Sequence, residues 1–174
     1  QKTKPGRMLS VLGDKNKVDT LVAEHGEKLA YAAINTSDSF VVTGEQESIE
    51  ALELRCQEEG LKTKLLNISY GSHSPLMDSI LEDFRSVAET VTYKKPRTPF
   101  ISCLTGKLIS TEITQASYWV NHLRQTVNFK AGVDTLKKSR MDVLVEMGAG
   151  ATILGLARQT LEPDVEKTRI QYIP

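Results

Sequence analysis

The sequence predicts an α/β chain of mixed α+β character: a small strand-and-helix unit followed by a second α/β layer. Three observations carry this. Over residues 8–69, short apolar runs and helical-period segments follow each other in the order strand-helix-strand-strand-helix-strand, the split βαβ pattern of a ferredoxin-like unit. After residue 70 a proline-started helix opens, and strand and helix segments then alternate, as in layered α/β proteins. At 174 residues the chain can bury roughly 70% of its unfolded surface, enough core for one domain or two small subdomains.

The elements follow from local chemistry. Residues 1–7 are polar, carry Pro5 and Gly6, and read as an entry linker. Met8 to Leu12 reads as a strand. Lys17 to His25 reads as a helix, with Val18, Leu21, Val22 and His25 on one stripe and Gly26 as its stop. Leu29 to Asn35 and Phe40 to Thr43 read as strands joined by the turn-rich Thr36-Ser37-Asp38-Ser39. Glu47 to Glu59 reads as a second helix, with Ile49, Leu52 and Cys56 at helical spacing and Gly60 closing it. Leu61 to Ser69 reads as a fourth strand, which completes a small subdomain over residues 8–69.

Beyond it, Ser74 can cap and Pro75 can open a long helix. Leu76, Ile80, Phe84, Val87 and Val91 carry its apolar face at steps of four, four, three and four. Pro99 to Leu104 reads as a strand and Thr105-Gly106 as its turn. Tyr118 to Leu123 and Phe129 to Lys138 read as helices, Asp142 to Met147 as a buried strand, and Ile153 to Leu161 as a helix. These make a second unit over 70–161, with 162–174 as a tail or linker.

Composition removes several function classes. Acidic and basic residues balance at 22 each, and no basic stripe with interleaved aromatics points to nucleic acid. No apolar run approaches the roughly 18 residues that span a bilayer. Cys56 and Cys103 have no metal-ligand or redox spacing and read as free thiols of a cytoplasmic protein. Neither a metal nor a tightly bound cofactor is expected.

The stretch Tyr70-Gly71-Ser72-His73-Ser74-Pro75-Leu76-Met77 singles out one residue. It sets a histidine at a strand end, immediately before a proline-started helix, where its backbone is fixed on both sides. Histidine is the side chain that exchanges protons near neutrality, so this placement suits a general base. A base needs a nucleophile. The Gly-x-Ser-x-Gly elbow that lifts a serine into the open is absent, because no glycine here is followed two residues later by serine.

This stretch resembles the catalytic-histidine segment of acyl-CoA:acyl-carrier-protein acyltransferases, in particular the acyltransferase domains of modular polyketide synthases. Four further stretches carry the resemblance in order: Gly6 to Val11, Phe40 to Glu45, Tyr118-Trp119-Val120-Asn121-His122-Leu123-Arg124, and Glu146-Met147-Gly148. It covers roughly residues 6 to 160 and implies the C-terminal part of such a domain. In that part a ferredoxin-like subdomain precedes the end of a hydrolase-like body. The serine elbow is expected upstream of residue 1, and Gln1 in place of a starting methionine suggests an excised segment.

The resemblance implies His73 as the base of a two-step transfer. An acyl extender unit passes from CoA to a serine, then to the phosphopantetheine thiol of an acyl carrier protein. It implies that the main-chain oxygen of His122 orients His73. It also assigns extender choice to Tyr70, Gly71 and Ser72, which lie nearer the pattern of branched, methylmalonyl-type units than that of malonyl. Ser72 leaves room that a phenylalanine would fill, and Gly71 in place of alanine adds space. Acyl-CoA is the expected cosubstrate. The expected partners are a carrier protein, the N-terminal half of the domain and neighbouring synthase domains, with no nucleic acid or membrane. Without its serine the chain is expected to be inactive alone. The other reading is a non-catalytic ferredoxin-like module that docks a carrier protein.

Three departures from the family pattern stand out: Cys103 where asparagine is common, Ala149 after Glu146-Met147-Gly148, and Thr126 where proline is common. Cys103 reads as a strand thiol and Trp119 as a packing anchor.

Overall fold

The computed structural model describes residues 3–139, 141–161 and 170–174. Its first unit runs β1 (Arg7–Leu12), α1 (Lys15–Ala23), β2 (Leu29–Ile34), β3 (Ser39–Gly44), α2 (Gln46–Glu58) and β4 (Lys62–Leu65). The four strands form one sheet in the order β2-β3-β1-β4, antiparallel throughout. Alternation places Leu9 and Val11 opposite Val42 and Phe40. These four meet Val18 and Leu21 of α1 and Ile49, Leu52 and Cys56 of α2 in one buried core. Fully burying a side chain the size of Leu9 or Phe40 stabilises the fold by about 1.5–3 kcal/mol. Burial also pushes the Cys56 thiol up to about 11, so it stays protonated at neutral pH.

Local chemistry sets the ends of these elements. α1 opens two residues earlier than its apolar stripe suggests, because the Asp14 carboxylate accepts the Lys17 N–H at 3.1 Å and caps the first turn. β4 is shorter than the predicted Leu61–Ser69. The Leu66 N–H still reaches Met8 O at 2.9 Å, and the Ile68 N–H then donates to Leu66 O at 2.8 Å, a three-residue turn that ends the ladder.

The second unit contains a 3-10 turn over Pro75–Ile80, then α3 (Leu81–Ala88), β5 (Phe100–Ser102), β6 (Lys107–Ile109), α4 (Ala116–Arg124), α5 (Phe129–Lys137), β7 (Val143–Val145), α6 (Thr152–Leu161) and β8 (Gln171–Ile173). β5 and β6 make a hairpin about Thr105-Gly106, where Gly106 takes φ +66°. β7 and β8 pair in parallel. A second, smaller core gathers Val133, Ala157 and Leu161, with Phe129, Leu144 and Tyr172 packed on it.

Four expectations change here. The helix after Ser74 is not continuous: a 3-10 turn hands over to α3 at Ile80, and α3 stops at Ala88, before Val91. Its predicted apolar face is open, with Phe84 37%, Val87 64% and Val91 50% exposed. The predicted buried strand at 142–147 has one parallel neighbour, and Met147 is 93% exposed. Periodicity groups residues on a face; only a covering element buries them. The predicted tail ends in a strand, since 171–173 form β8, while 162–169 lie outside the described residues. β6, a strand that the sequence pattern does not predict, completes the hairpin.

Candidate active site

The loop from Tyr70 to Ser74 leaves the small sheet and enters the 3-10 turn. Ser74, fully buried, fastens it twice: its hydroxyl donates to Gly71 O at 2.6 Å and accepts the Leu76 N–H at 3.2 Å. On the other side, Gly6 N–H reaches Ser69 O, and Pro5 bridges Tyr70. Between these anchors His73 takes φ +62°, making it the one non-glycine residue in the left-handed region among the described residues. A side chain there is disfavoured, so surrounding contacts must hold it.

Those contacts come from the end of α4. The His73 N–H donates to Leu123 O at 3.2 Å, and its ring Nδ1 lies 2.8 Å from Gln125 O. The last carbonyls of a helix lack partners inside it. Two main-chain oxygens at the end of α4 therefore find theirs in His73. A carbonyl can only accept, so Nδ1 carries the proton and Nε2 keeps its lone pair. In the neutral ring the basic nitrogen is therefore Nε2.

This corrects the expected orienter. The oxygen that meets Nδ1 belongs to Gln125, not His122. His122 lies within α4, where a carbonyl points along the helix axis. Gln125 follows the last helical residue with φ −91° and ψ 160°, which turns its carbonyl out of the helix. Gln125 was missed because a main-chain acceptor leaves no residue-type signature. The usable signal was the helix end itself.

His122 nevertheless joins the site through its side chain. Its ring is edge-on to His73 with centroids 6.3 Å apart. Burial, and next the His73 ring, lower its pKa below the ordinary 6.5. The adjoining Arg124 forms an ion pair with Asp78 of the 3-10 turn at 2.5 Å, a second tie between α4 and the histidine loop.

Of the three residues expected to set extender choice, Tyr70 is exposed and Ser72 half-buried, while Gly71 is buried. A Cβ on Gly71 would sit 2.7 Å from Leu76 Cδ1 and 3.3 Å from Thr43 Oγ1. The room at Gly71 is thus packing space against Leu76, not an enlargement of an open pocket. Trp119 is an anchor: its Nε1–H donates to Ile113 O at 3.1 Å, and its ring stacks on Tyr93. Burial raises the pKa of the Cys103 thiol, which disfavours the nucleophilic thiolate. Among the described residues there is no cluster of metal-ligating side chains and no helix long and apolar enough to cross a membrane.

The segment after α4 also binds the two units together. Thr126 Oγ1 donates to Tyr31 O, Val127 exchanges main-chain hydrogen bonds with Ala32 and Ile34 of β2, and Asn128 N–H reaches Cys103 O. The threonine found where proline is common therefore has a partner of its own.

A family model for the acyl transferase domain matches residues 1–173. Polyketide synthase GfsA of Streptomyces halstedii is 32% identical over 90% of this chain, which spans 2% of that relative. The phenolphthiocerol synthesis polyketide synthase type I Pks15/1 of Mycobacterium bovis is 33% identical over 91% of the chain, 7% of its own length. Among solved structures, the acyltransferase domain from the second module of the salinomycin polyketide synthase superimposes with TM-score 0.85 at 35% identity. That match covers 96% of this chain and 39% of that one. The domain from module 8 of the same synthase gives TM-score 0.90 at 27% identity, covering 98% and 40%. The chain thus spans about two fifths of the solved domains and a small fraction of the curated synthases it matches.

Proposed function

The chain belongs to the acyl transferase domain family, as found in polyketide synthases, and from that premise we propose that it supplies the general base of an extender-unit transfer from CoA to an acyl carrier protein. The single observation behind this is the His73 ring, whose Nδ1 is engaged by Gln125 O so that Nε2 is the basic nitrogen. In the proposed cycle a serine hydroxyl gives its proton to His73 Nε2 as it attacks the acyl-CoA thioester. The C–S bond breaks, and the proton passes to the departing CoA sulfur. The carrier's phosphopantetheine thiol then gives its proton to His73 and takes the acyl group, and His73 returns the proton to the serine oxygen.

No glycine of this chain is followed two residues later by serine, so the nucleophile is proposed to lie outside these 174 residues and the chain to be inactive alone. The first unit is read as the ferredoxin-like subdomain of such a domain; its element order and β2-β3-β1-β4 sheet support this. Tyr70 and Ser72 favour a methylmalonyl-type over a malonyl unit. One methyl group discriminates by only about 1–3 kcal/mol, so both substrates belong in the test. The carrier protein and adjoining synthase domains are the proposed partners, and no resident cofactor is required.

The test is transfer from malonyl-CoA and methylmalonyl-CoA to a carrier protein. It uses the acyltransferase domain that contains this chain, native and with His73→Ala. Loss of transfer with the fold intact supports the reading. Undiminished transfer rejects it and leaves the docking module in front.

A further inference from the structure

We infer that the His122 side chain is a positioning residue for this transfer: its ring braces His73 and must be uncharged for His73 to take up a proton. The inference rests on His73 being the base. Three rings surround His122. Tyr118 lies 6.0 Å and Trp119 6.4 Å from it, centroid to centroid, and His73 lies 6.3 Å away at 70° to its plane. Two of these neighbours are themselves tied down. Tyr118 OH pairs with the buried Ser102 Oγ at 2.7 Å, and Trp119 is held by Ile113 O and stacked on Tyr93. His122 thus sits, half-buried, among three rings, of which the one other imidazole is His73.

The charged groups on the elements packed against α4 are largely engaged with other partners. Asp78 of the 3-10 turn pairs with Arg124, and Glu82 of α3 pairs with Arg85. Glu112, before α4, accepts the Ser110 N–H, and the Tyr93 phenol donates to Ala88 O. Asp83 of α3 has interactions of its own, and Glu89 closes that helix as its cap residue. The direct electrostatic neighbour of His122 is therefore His73. Two imidazolium rings at this separation repel, so a proton on either ring opposes one on the other. Each proton transfer places a positive charge on His73, and a neutral His122 makes room for it. Burial of His122 keeps its neutral form favoured.

The experiment has two arms. In the first, the His122 ring signal of this chain is titrated by NMR, in the native chain and in His73→Asn, with His122→Gln identifying the signal. The expected result is a midpoint below 6.5 that rises when His73 is replaced. An unmoved midpoint overturns the coupling.

In the second arm, the transfer rate of the acyltransferase domain containing this chain is followed from pH 8 down to pH 5. If both rings must be neutral, log rate falls with a slope approaching two below the plateau, and His122→Asn or His122→Gln returns it to one. The slope is read relative to each variant's own plateau, so a general loss of activity does not imitate it. A slope unchanged by both variants, while His73→Ala abolishes transfer, overturns this inference alone. Transfer that survives His73→Ala overturns the catalytic reading, whatever the slope.

Discussion

The ring Nδ1 of His73 and the main-chain oxygen of Gln125 lie 2.8 Å apart across 52 residues of sequence. The orienting atom is an oxygen that every residue type possesses. Gln125→Ala should therefore leave acyl transfer within about twofold, whereas His73→Gln should lower it by roughly 10²–10⁴-fold, the usual worth of a general base. Steady-state transfer to a carrier protein decides. A large loss in Gln125→Ala would show that the side chain matters and that the main-chain account is incomplete.

His73 holds φ +62°, which costs a side chain about 1 kcal/mol or more and costs glycine little. The two truncations His73→Ala and His73→Gly both remove the imidazole. His73→Gly should nonetheless be the more stable by about 1 kcal/mol, reversing the order expected where glycine is no better suited than alanine. Urea unfolding of the two variants measures the difference. If His73→Ala is the more stable, the backbone strain is not there.

Gly6 and Gly71 are both closely packed, but against different kinds of neighbour. A methyl on Gly6 would meet Gly71 N at 2.6 Å, Gly71 Cα at 2.9 Å and Gly44 O at 3.0 Å, all main-chain atoms. A methyl on Gly71 would meet chiefly the tip of Leu76, which can rotate away. Gly6→Ala should destabilise by about 1–3 kcal/mol and Gly71→Ala by less. Thermal melts that rank the two the other way would contradict the packing description.

His122 also ties stability to pH. Its folded pKa lies below the ordinary 6.5, chiefly through burial, so the unfolded chain binds the proton more readily. The contribution is full above pH 6.5 and is lost as pH falls from there through the folded value. Native protein should therefore lose stability between pH 7.5 and 5.5, and His122→Gln should lose less. Parallel slopes for the two proteins in denaturant titrations at these pH values would rule His122 out as the source.

The sequence made the small unit and the position of His73 readable for definite reasons. Ser74 and Pro75 announce a helix-like start, and the short apolar-rich runs Met8 to Leu12 and Phe40 to Thr43, separated from helical-period segments by turn residues, mark strands. What stayed hidden has equally definite causes. Leu123 and Gln125 act through carbonyls, which leave no trace in residue type. Phe84, Val87 and Val91 share a helical period, but that period is silent on whether anything covers them. The shortening of β4 depends on the turn between Leu66 and Ile68, a geometry that many sequences adopt.

The four-stranded sheet has two outer strands, and they are closed in different ways. Along β2, Val127 runs in parallel and takes up the main-chain groups of Ala32 and Ile34. On the other side β4 is only four residues long, with Lys62 and Lys64 exposed on it. A strand from another molecule would find the first edge already occupied, and on the second a short ladder flanked by positive charge, the pattern that resists strand addition. The same residues that lead from α4 past His73 thus also protect this sheet against edge-to-edge aggregation.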